Sequence, residues 1–155
     1  IRKLLLNKKS NYKILTDLFL YMAARNENFH NIIKKNYKKK VILIDRFVDS
    51  TIAYQHYGFN INLNLIKLIN NYLLKDLRID FTFLNIVNIK NMNKRLNLRK
   101  TLNRYDKFNN KFYENVQKGF IKIAKKNSNR YKIINSNLDI NFNQDQIIKV
   151  VKKLI

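Results

Sequence analysis

The chain reads as a single α/β domain built on a parallel sheet, and three observations lead there. Short apolar runs of strand length, at 41–44, 81–87 and 131–134, alternate with longer segments whose apolar residues recur at helical spacing. The run V-I-L-I at 41–44 stops abruptly at Asp45 and Arg46, as a buried parallel strand does when it delivers polar groups to the carboxyl edge of a sheet. Open α/β sheets bind their ligands at that edge. Finally, 155 residues with two glycines, no proline and no internal repeat leave no place for a flexible linker, so one core is expected.

Each element follows from its local pattern. Residues 14–35 carry Leu15, Leu18, Phe19, Met22, Phe29, Ile32 and Ile33 close to helical spacing, with Thr16 and Asp17 near the start of the helix. The first strand is 41–44, and Asp49 and Ser50 are expected to cap the helix that follows it. Leu63, Ile66, Ile69, Leu73 and Leu74 form a helical stripe over 62–74. F-T-F-L-N-I-V at 81–87 is the second strand, and 90–99 a basic helix. A further helix spans 109–126, a third strand 131–134, and an amphipathic helix 144–155 closes the chain.

Thirty-two Lys and Arg against ten Asp and Glu give a formal charge of +22. Such a charge ordinarily points to nucleic acid or an anionic surface. Here the basic residues are spread along the chain instead of forming one patch with interleaved aromatics, except for K-K-N-Y-K-K-K at 34–40, which reads as a solvated turn. Abundant Lys, Asn, Ile, Tyr and Phe with no Trp or Pro is the pattern of codons rich in A and T, so nucleic acid is not the expected partner. The positive field nevertheless attracts nucleotides and other polyanions in a salt-dependent way. The absence of Cys excludes disulfides, thiol catalysis and the usual structural zinc sites. No apolar run approaches the ~20 residues of a transmembrane helix and no signal peptide is visible, so a cytoplasmic protein without a membrane partner is expected.

The most informative stretch is V-I-L-I-D-R-F-V-D-S-T-I-A-Y-Q-H-Y-G at 41–58. Alone, Asp45-Arg46 is an ordinary ion pair capping a strand. A carboxylate beside a planar, permanently charged fork also suits phosphate and a metal ion, because Arg pairs bidentately with phosphate oxygens. Asp49, Ser50, Thr51, Tyr54 and Gln55 crowd polar and aromatic groups just beyond it. D-R-F-V-D-S-T-I-A-Y-Q resembles the signature of the thymidylate kinase (dTMP kinase) family, D-R-[YFH]-x-x-S-[ST]-x-A-Y-Q. I-R-K-L-L-L at 1–6, L-F-L-Y-M-A-A-R at 18–25 and N-R-Y-D-K-F…F-Y-E-N-V-Q-K-G-F at 103–120 fall in the family's order, so the resemblance covers nearly the whole chain.

The resemblance implies a three-layer, parallel-sheet P-loop nucleoside-monophosphate kinase fold, and transfer of the ATP γ-phosphoryl to dTMP with Mg²⁺, in a homodimer packed through its long helices. It assigns Arg46 to the acceptor's 5′-phosphate and Asp45 to organising Arg46 and the magnesium shell. Arg25 would hydrogen-bond the thymine carbonyl while Tyr21, one turn earlier on the same face, stacks on the base. Without the motif, Tyr21 is an ordinary core residue and Arg25 a surface one. Thr51 would read the base edge, Tyr54 line the deoxyribose and Gln55 add hydrogen bonds. Arg95, Arg99 and Arg104 would belong to a lid at about 90–106, with Arg99 and Arg104 on ATP and all three neutralising charge on the transferring phosphoryl. Alone, they form a solvated basic face.

The chain also departs from the family. His56 stands where Gly is common, Phe59-Asn60 replaces Arg-Gly, Ile79 replaces Pro, and Asn85-Ile86 stands where the family usually reads L-D-[VI], with loss of a strand-end carboxylate. No G-x-x-x-x-G-K-[ST] occurs, and the expectation is a domain lacking its amino-terminal P-loop part, with a central strand missing and poor stability as a result. Alternative readings are another deoxynucleoside-phosphate kinase, a non-catalytic basic nucleic-acid-binding protein, or an inactive kinase remnant.

Overall fold

The computed structural model describes residues 1–7, 9–75 and 77–155 and divides into two compact units. The first comprises Ile1–Arg78 and Leu102–Gly119, the second Ile79–Thr101 and Phe120–Ile155.

The first unit is helical. It contains α1 (Arg2–Leu6), α2 (Ile14–Asn28), α3 (Lys34–Asn36), α4 (Val48–Thr51), α5 (Leu63–Leu74), a 3₁₀ turn at Arg104–Lys107 and the start of α7 (Asn110–Lys126). Wide π-helical turns at Phe29–Ile33 and Ile52–Gly58 prolong α2 and α4, so the helix expected over 14–35 runs without a break from Ile14 to Asn36. Leu18, Met22 and Ile66 form the centre of the core, with Ile52, Ile61, Leu65, Ile69 and Leu73 packed around them. Apolar residues at positions 18 and 22 of α2 and 66, 69 and 73 of α5 put a stripe of each helix into this cluster.

A chain rich in asparagine uses it to start helices. Asn62 accepts from the backbone N–H of Asn64 and Leu65, at 2.8 and 3.2 Å, and Asn109 accepts from Phe112 at 2.9 Å. Asn103 and Asp106 form a reciprocal capping box around the 3₁₀ turn. Asp49 and Ser50, expected as caps, instead lie inside α4, whose first residue is preceded by Phe47. There Asp49 sits in the first turn, where a carboxylate faces the positive end of the peptide dipoles.

The second unit holds β1 (Thr82–Ile86), α6 (Ile89–Asn97), the end of α7, a 3₁₀ turn at Ser128–Arg130, β2 (Tyr131–Asn135) and α8 (Ile140–Leu154). β1 and β2 pair in parallel, with Thr82 opposite Tyr131 and Ile86 opposite Asn135. The alternation of strand and helix thus produces the parallel pairing expected of it. Leu84, Ala124 and Ile134 are buried here. Asp139 caps α8 by accepting from Asn141 and Phe142, which moves the start of that helix ahead of the expected position 144.

Residues 41–44 differ from expectation. Among the described residues they have no ladder partner, and Leu43 is 90% exposed. A single apolar run becomes a strand only when a neighbour takes its N–H and C=O groups, and the two described strands bond to each other.

Candidate active site

Arg25 is the centre of a buried polar cluster in the first unit. It lies on α2, is 9% exposed, and is gripped from three elements. Its Nη1 donates to Asn70 Oδ1 on α5 at 2.6 Å and to Met22 Sδ at 3.3 Å. Its Nη2 donates to Thr51 Oγ1 at 2.5 Å and to the Phe47 carbonyl at 3.2 Å. The guanidinium also lies 5.3 Å from the centroid of the Phe47 ring. Burial pushes its pKa down to about 10, partly offset by the negative charge of Asp49. It therefore stays cationic through the physiological range, a fixed planar donor in a mostly dry setting.

The segment Phe47–Gln55 provides the facing wall. Thr51 and Gln55 are buried one turn apart, and Gln55 Nε2 has no protein acceptor. Tyr54 meets Tyr105 and Phe112 edge-on at 6.4 and 6.1 Å, inside an aromatic group that also includes Phe59 and Phe108. Arg46 lies over the Tyr54 ring at 5.1 Å instead of pairing with Asp45, and both Arg46 and Asp45 are exposed. Arg46 adopts φ of 63°, in the left-handed region, which costs a side-chain-bearing residue roughly 1–2 kcal/mol.

The family departures after Gln55 have physical compensation. The π turn at Ile52–Gly58 closes with the Phe59 N–H on the Tyr54 carbonyl, and His56 Nδ1 donates to the Ile61 carbonyl at 2.8 Å. Asn60, standing where the family has Gly, takes φ of 60°, a conformation that Asn tolerates better than most side chains.

Tyr21 is half-buried, 6.2 Å from Tyr105 ring to ring, one turn before Arg25. Arg104 is joined to Asp17, four residues before Tyr21, through an ion pair that also receives the Tyr105 hydroxyl. Tyr21, Arg25, Arg46, Thr51, Tyr54, Gln55 and Arg104 thus share the first unit. Arg95 and Arg99 belong to the second. Arg95 donates from Nη2 to the Ser136 carbonyl at 2.6 Å, beside Asn137, which accepts from the Asn88 N–H and from Asn91 Nδ2. Arg99 is exposed just past the end of α6.

Two contributors escaped the sequence reading, Asp17 and Asn70. Both had a visible signal. Asn70 interrupts the buried stripe Ile66–Leu74 at four-residue spacing, and Asp17 shares a stripe with Tyr21 and Arg25.

Among the described residues, no group of three His, Asp or Glu side chains could hold a metal ion, and no helix is long and apolar enough to cross a membrane. Asp45, an exposed carboxylate next to Arg46, is a hard oxygen donor of the kind magnesium uses when phosphates and water fill its remaining positions.

Comparison with known proteins converges on one family. The thymidylate kinase family model matches residues 1–147. The chain is 34% identical to the thymidylate kinase of Mycoplasma capricolum, over 97% of this chain and 73% of that protein. It is 39% identical to that of Ehrlichia chaffeensis, over 96% of this chain and 74% of that protein. The crystal structure of the Ehrlichia chaffeensis thymidylate kinase superposes with a TM-score of 0.72 at 34% identity, covering 93% of this chain and 70% of that one. The chain belongs to the thymidylate kinase family.

Proposed function

We propose that this protein phosphorylates dTMP with ATP, giving dTDP and ADP, and that the first unit holds the dTMP. The single observation that carries the reading is the clamp around Arg25. A buried guanidinium fixed by Thr51 and Asn70, one helical turn from the Tyr21 ring, offers a planar cation and an aromatic face to the same planar base. Arg46 takes the 5′-phosphate bidentately, Tyr54 lines the sugar, and Thr51 and Gln55 address polar groups of the nucleoside.

The reaction is an in-line displacement. A phosphate oxygen of dTMP forms a bond to the γ-phosphorus of ATP as the bond to the β-phosphate oxygen breaks, and ADP leaves. No covalent intermediate on the protein is required, because positioning and charge neutralisation carry most of phosphoryl transfer. Arg95 and Arg99 supply charge for the donor's phosphates. Arg104, engaged with Asp17, contributes by fixing the helix that bears Tyr21 and Arg25. Asp45 would hold Mg²⁺ through its carboxylate, and the ion when bound would supply further charge neutralisation. Exposed apolar residues on α2 and α5, Leu15, Phe19, Leu68 and Tyr72 among them, suit a homodimer, and a cytoplasmic location fits the phosphorylation of free nucleotides.

The test is calorimetric titration of the purified protein with dTMP, dCMP and dGMP, with dTDP formation from dTMP and ATP followed in the same preparation. dTMP is expected to bind in preference to the other two, with Arg46→Ala and Tyr21→Ala each abolishing binding. Equal, purely salt-dependent binding of all three nucleotides, insensitive to both substitutions, would overturn the reading.

A further inference from the structure

We infer that Asn70 is a positioning residue for the nucleotide site, setting the orientation of the Arg25 guanidinium. The inference rests on the assignment of Arg25 to the dTMP base.

Asn70 occupies an unfavourable place for an amide. It is 4% exposed on α5, midway along the buried stripe between Ile66 and Leu74, where an apolar side chain would pack at no polar cost. Its orientation is unambiguous, because guanidinium only donates. The atom 2.6 Å from Arg25 Nη1 must be the amide oxygen. The amide nitrogen is then buried with no protein acceptor. An asparagine kept for fold stability has both ends of its amide paired, as buried polar groups almost always do. Here the oxygen alone is used, and it is used on Arg25.

The partners of Arg25 show what that oxygen adds. Thr51 and the Phe47 carbonyl both hold Nη2 and both come from the chain next to Arg46. On the Nη1 side, Met22 Sδ at 3.3 Å is a weak acceptor on the same helix as Arg25. Asn70 is the strong acceptor on that side and the contact from α5. With Nη2 held alone, the guanidinium plane can roll about its long axis. With Asn70 in place both nitrogens are fixed and the plane is set against the face that carries Tyr21. A fork that is pre-set loses less freedom when it meets a planar ligand.

The experiment compares Asn70→Leu and Asn70→Asp with the unaltered full-length protein. Leu fills the stripe without an acceptor, and Asp keeps the acceptor while removing the unpartnered amide nitrogen. dTMP affinity is read by titration calorimetry, the Michaelis constants for dTMP and ATP by steady-state assay, and folding by thermal melts. N70L is expected to weaken dTMP binding about tenfold or more, the loss of one hydrogen bond to a charged group. Its KM for dTMP rises while that for ATP stays unchanged, and N70D remains within about threefold of the unaltered protein on the same scale. A structural role moves the melting temperature and leaves the dTMP affinity of the folded protein intact, which would overturn the inference. If N70L does not fold, Asn70→Ala, which removes the acceptor without adding bulk, takes its place: a tenfold loss of dTMP affinity in the folded variant supports positioning through the oxygen, and unchanged affinity overturns it. Failure of the unaltered protein to bind dTMP overturns the kinase reading and this inference together. Failure in the Asn70 comparison alone leaves the kinase reading standing.

Discussion

Arg104 forms an ion pair with Asp17, residues 87 positions apart, and so fastens the 3₁₀ turn ahead of α7 to the first turns of α2. Asp17 is 2% exposed and also receives the Tyr105 hydroxyl at 3.3 Å, while Tyr113 donates its hydroxyl to the Tyr105 carbonyl. Asp17, Tyr21 and Arg25 follow one another at four-residue spacing on α2. The ion pair therefore anchors the same helical stripe that presents an aromatic ring and a guanidinium to the candidate base site.

Removing either partner of this pair has unequal consequences. Arg104→Ala leaves a carboxylate that is almost fully buried, with one oxygen already lacking a partner, and is expected to cost about 3–5 kcal/mol. Asp17→Ala costs less, because the Arg104 side chain, 15% exposed, can turn its charge to water. Asp17→Leu with Arg104→Met recovers most of the loss, since two apolar groups replace a desolvated pair. Urea unfolding of the three variants checks the order. An Arg104 that acts directly on the phosphoryl group would instead lower kcat with stability unchanged.

Tyr105 gives the fold an alkaline limit. Burial, followed by a hydrogen bond with Tyr21, raises its pKa well above the ordinary value of 10.0, with Arg104 acting in the opposite sense. The unfolded chain loses this proton near pH 10 while the folded chain keeps it, so the stabilisation is complete below about pH 10 and declines as pH rises further. Arg25, with its pKa lowered to about 10, has the opposite slope in the same range. Comparing the unaltered protein with Tyr105→Phe isolates the tyrosine. The variant is expected to lose stability less steeply between pH 10 and 11, measured by urea midpoints, and an identical slope in both would remove Tyr105 as the cause.

Much of this arrangement was legible in the sequence, for reasons that can be located. Leu63, Ile66, Ile69, Leu73 and Leu74 announced α5 because a helix buries one stripe, and the D-R-F-V-D-S-T-I-A-Y-Q segment supplied the candidates Asp45, Arg46, Thr51, Tyr54 and Gln55. The π turns at Phe29–Ile33 and Ile52–Gly58 were not legible, since a single wide turn leaves no periodicity of its own. Residues 41–44 have the composition of a strand, but pairing depends on a neighbour that local pattern does not specify. Asn70 was visible as a polar interruption of a buried stripe, and Asp17 by its four-residue spacing from Tyr21 and Arg25. What the sequence could not supply was their partners, Arg104 and Arg25, since those contacts join distant parts of the chain.

Gly119 marks a close approach within the first unit. A Cβ added there would sit 2.5 Å from Tyr57 ring atoms and 2.7 Å from the Tyr57 Cβ, an atom tied closely to the backbone. Gly119→Ala gains about 1 kcal/mol of helix propensity, which the overpacking penalty of roughly 1–3 kcal/mol offsets or exceeds. At Gly58 the nearest atoms, at 2.7 and 3.0 Å, are the far edge of the Phe112 ring and a Val116 methyl, which can yield more readily. Gly119→Ala is therefore expected to be the more destabilising of the two in thermal melts, and the reverse order would show that Tyr57 repacks freely.

Arg46 separates stability from binding. Its φ of 63° is costly for any residue with a Cβ, and Ala at this position keeps that cost while losing the stacking on Tyr54. Glycine removes the strain, roughly 1–2 kcal/mol, against the roughly 0.5–1 kcal/mol of extra backbone freedom it gives the unfolded chain. Arg46→Gly is therefore expected to be more stable than Arg46→Ala by up to about 1 kcal/mol. If Arg46 holds the 5′-phosphate as proposed, both variants are expected to lose dTMP binding, while binding of uncharged thymidine, which has no phosphate, is expected to be little changed. Urea unfolding combined with dTMP and thymidine titrations reads both effects. Retained dTMP affinity in Arg46→Gly would assign the phosphate to another cation, and a parallel loss of thymidine would mean that Arg46 shapes the base pocket as well.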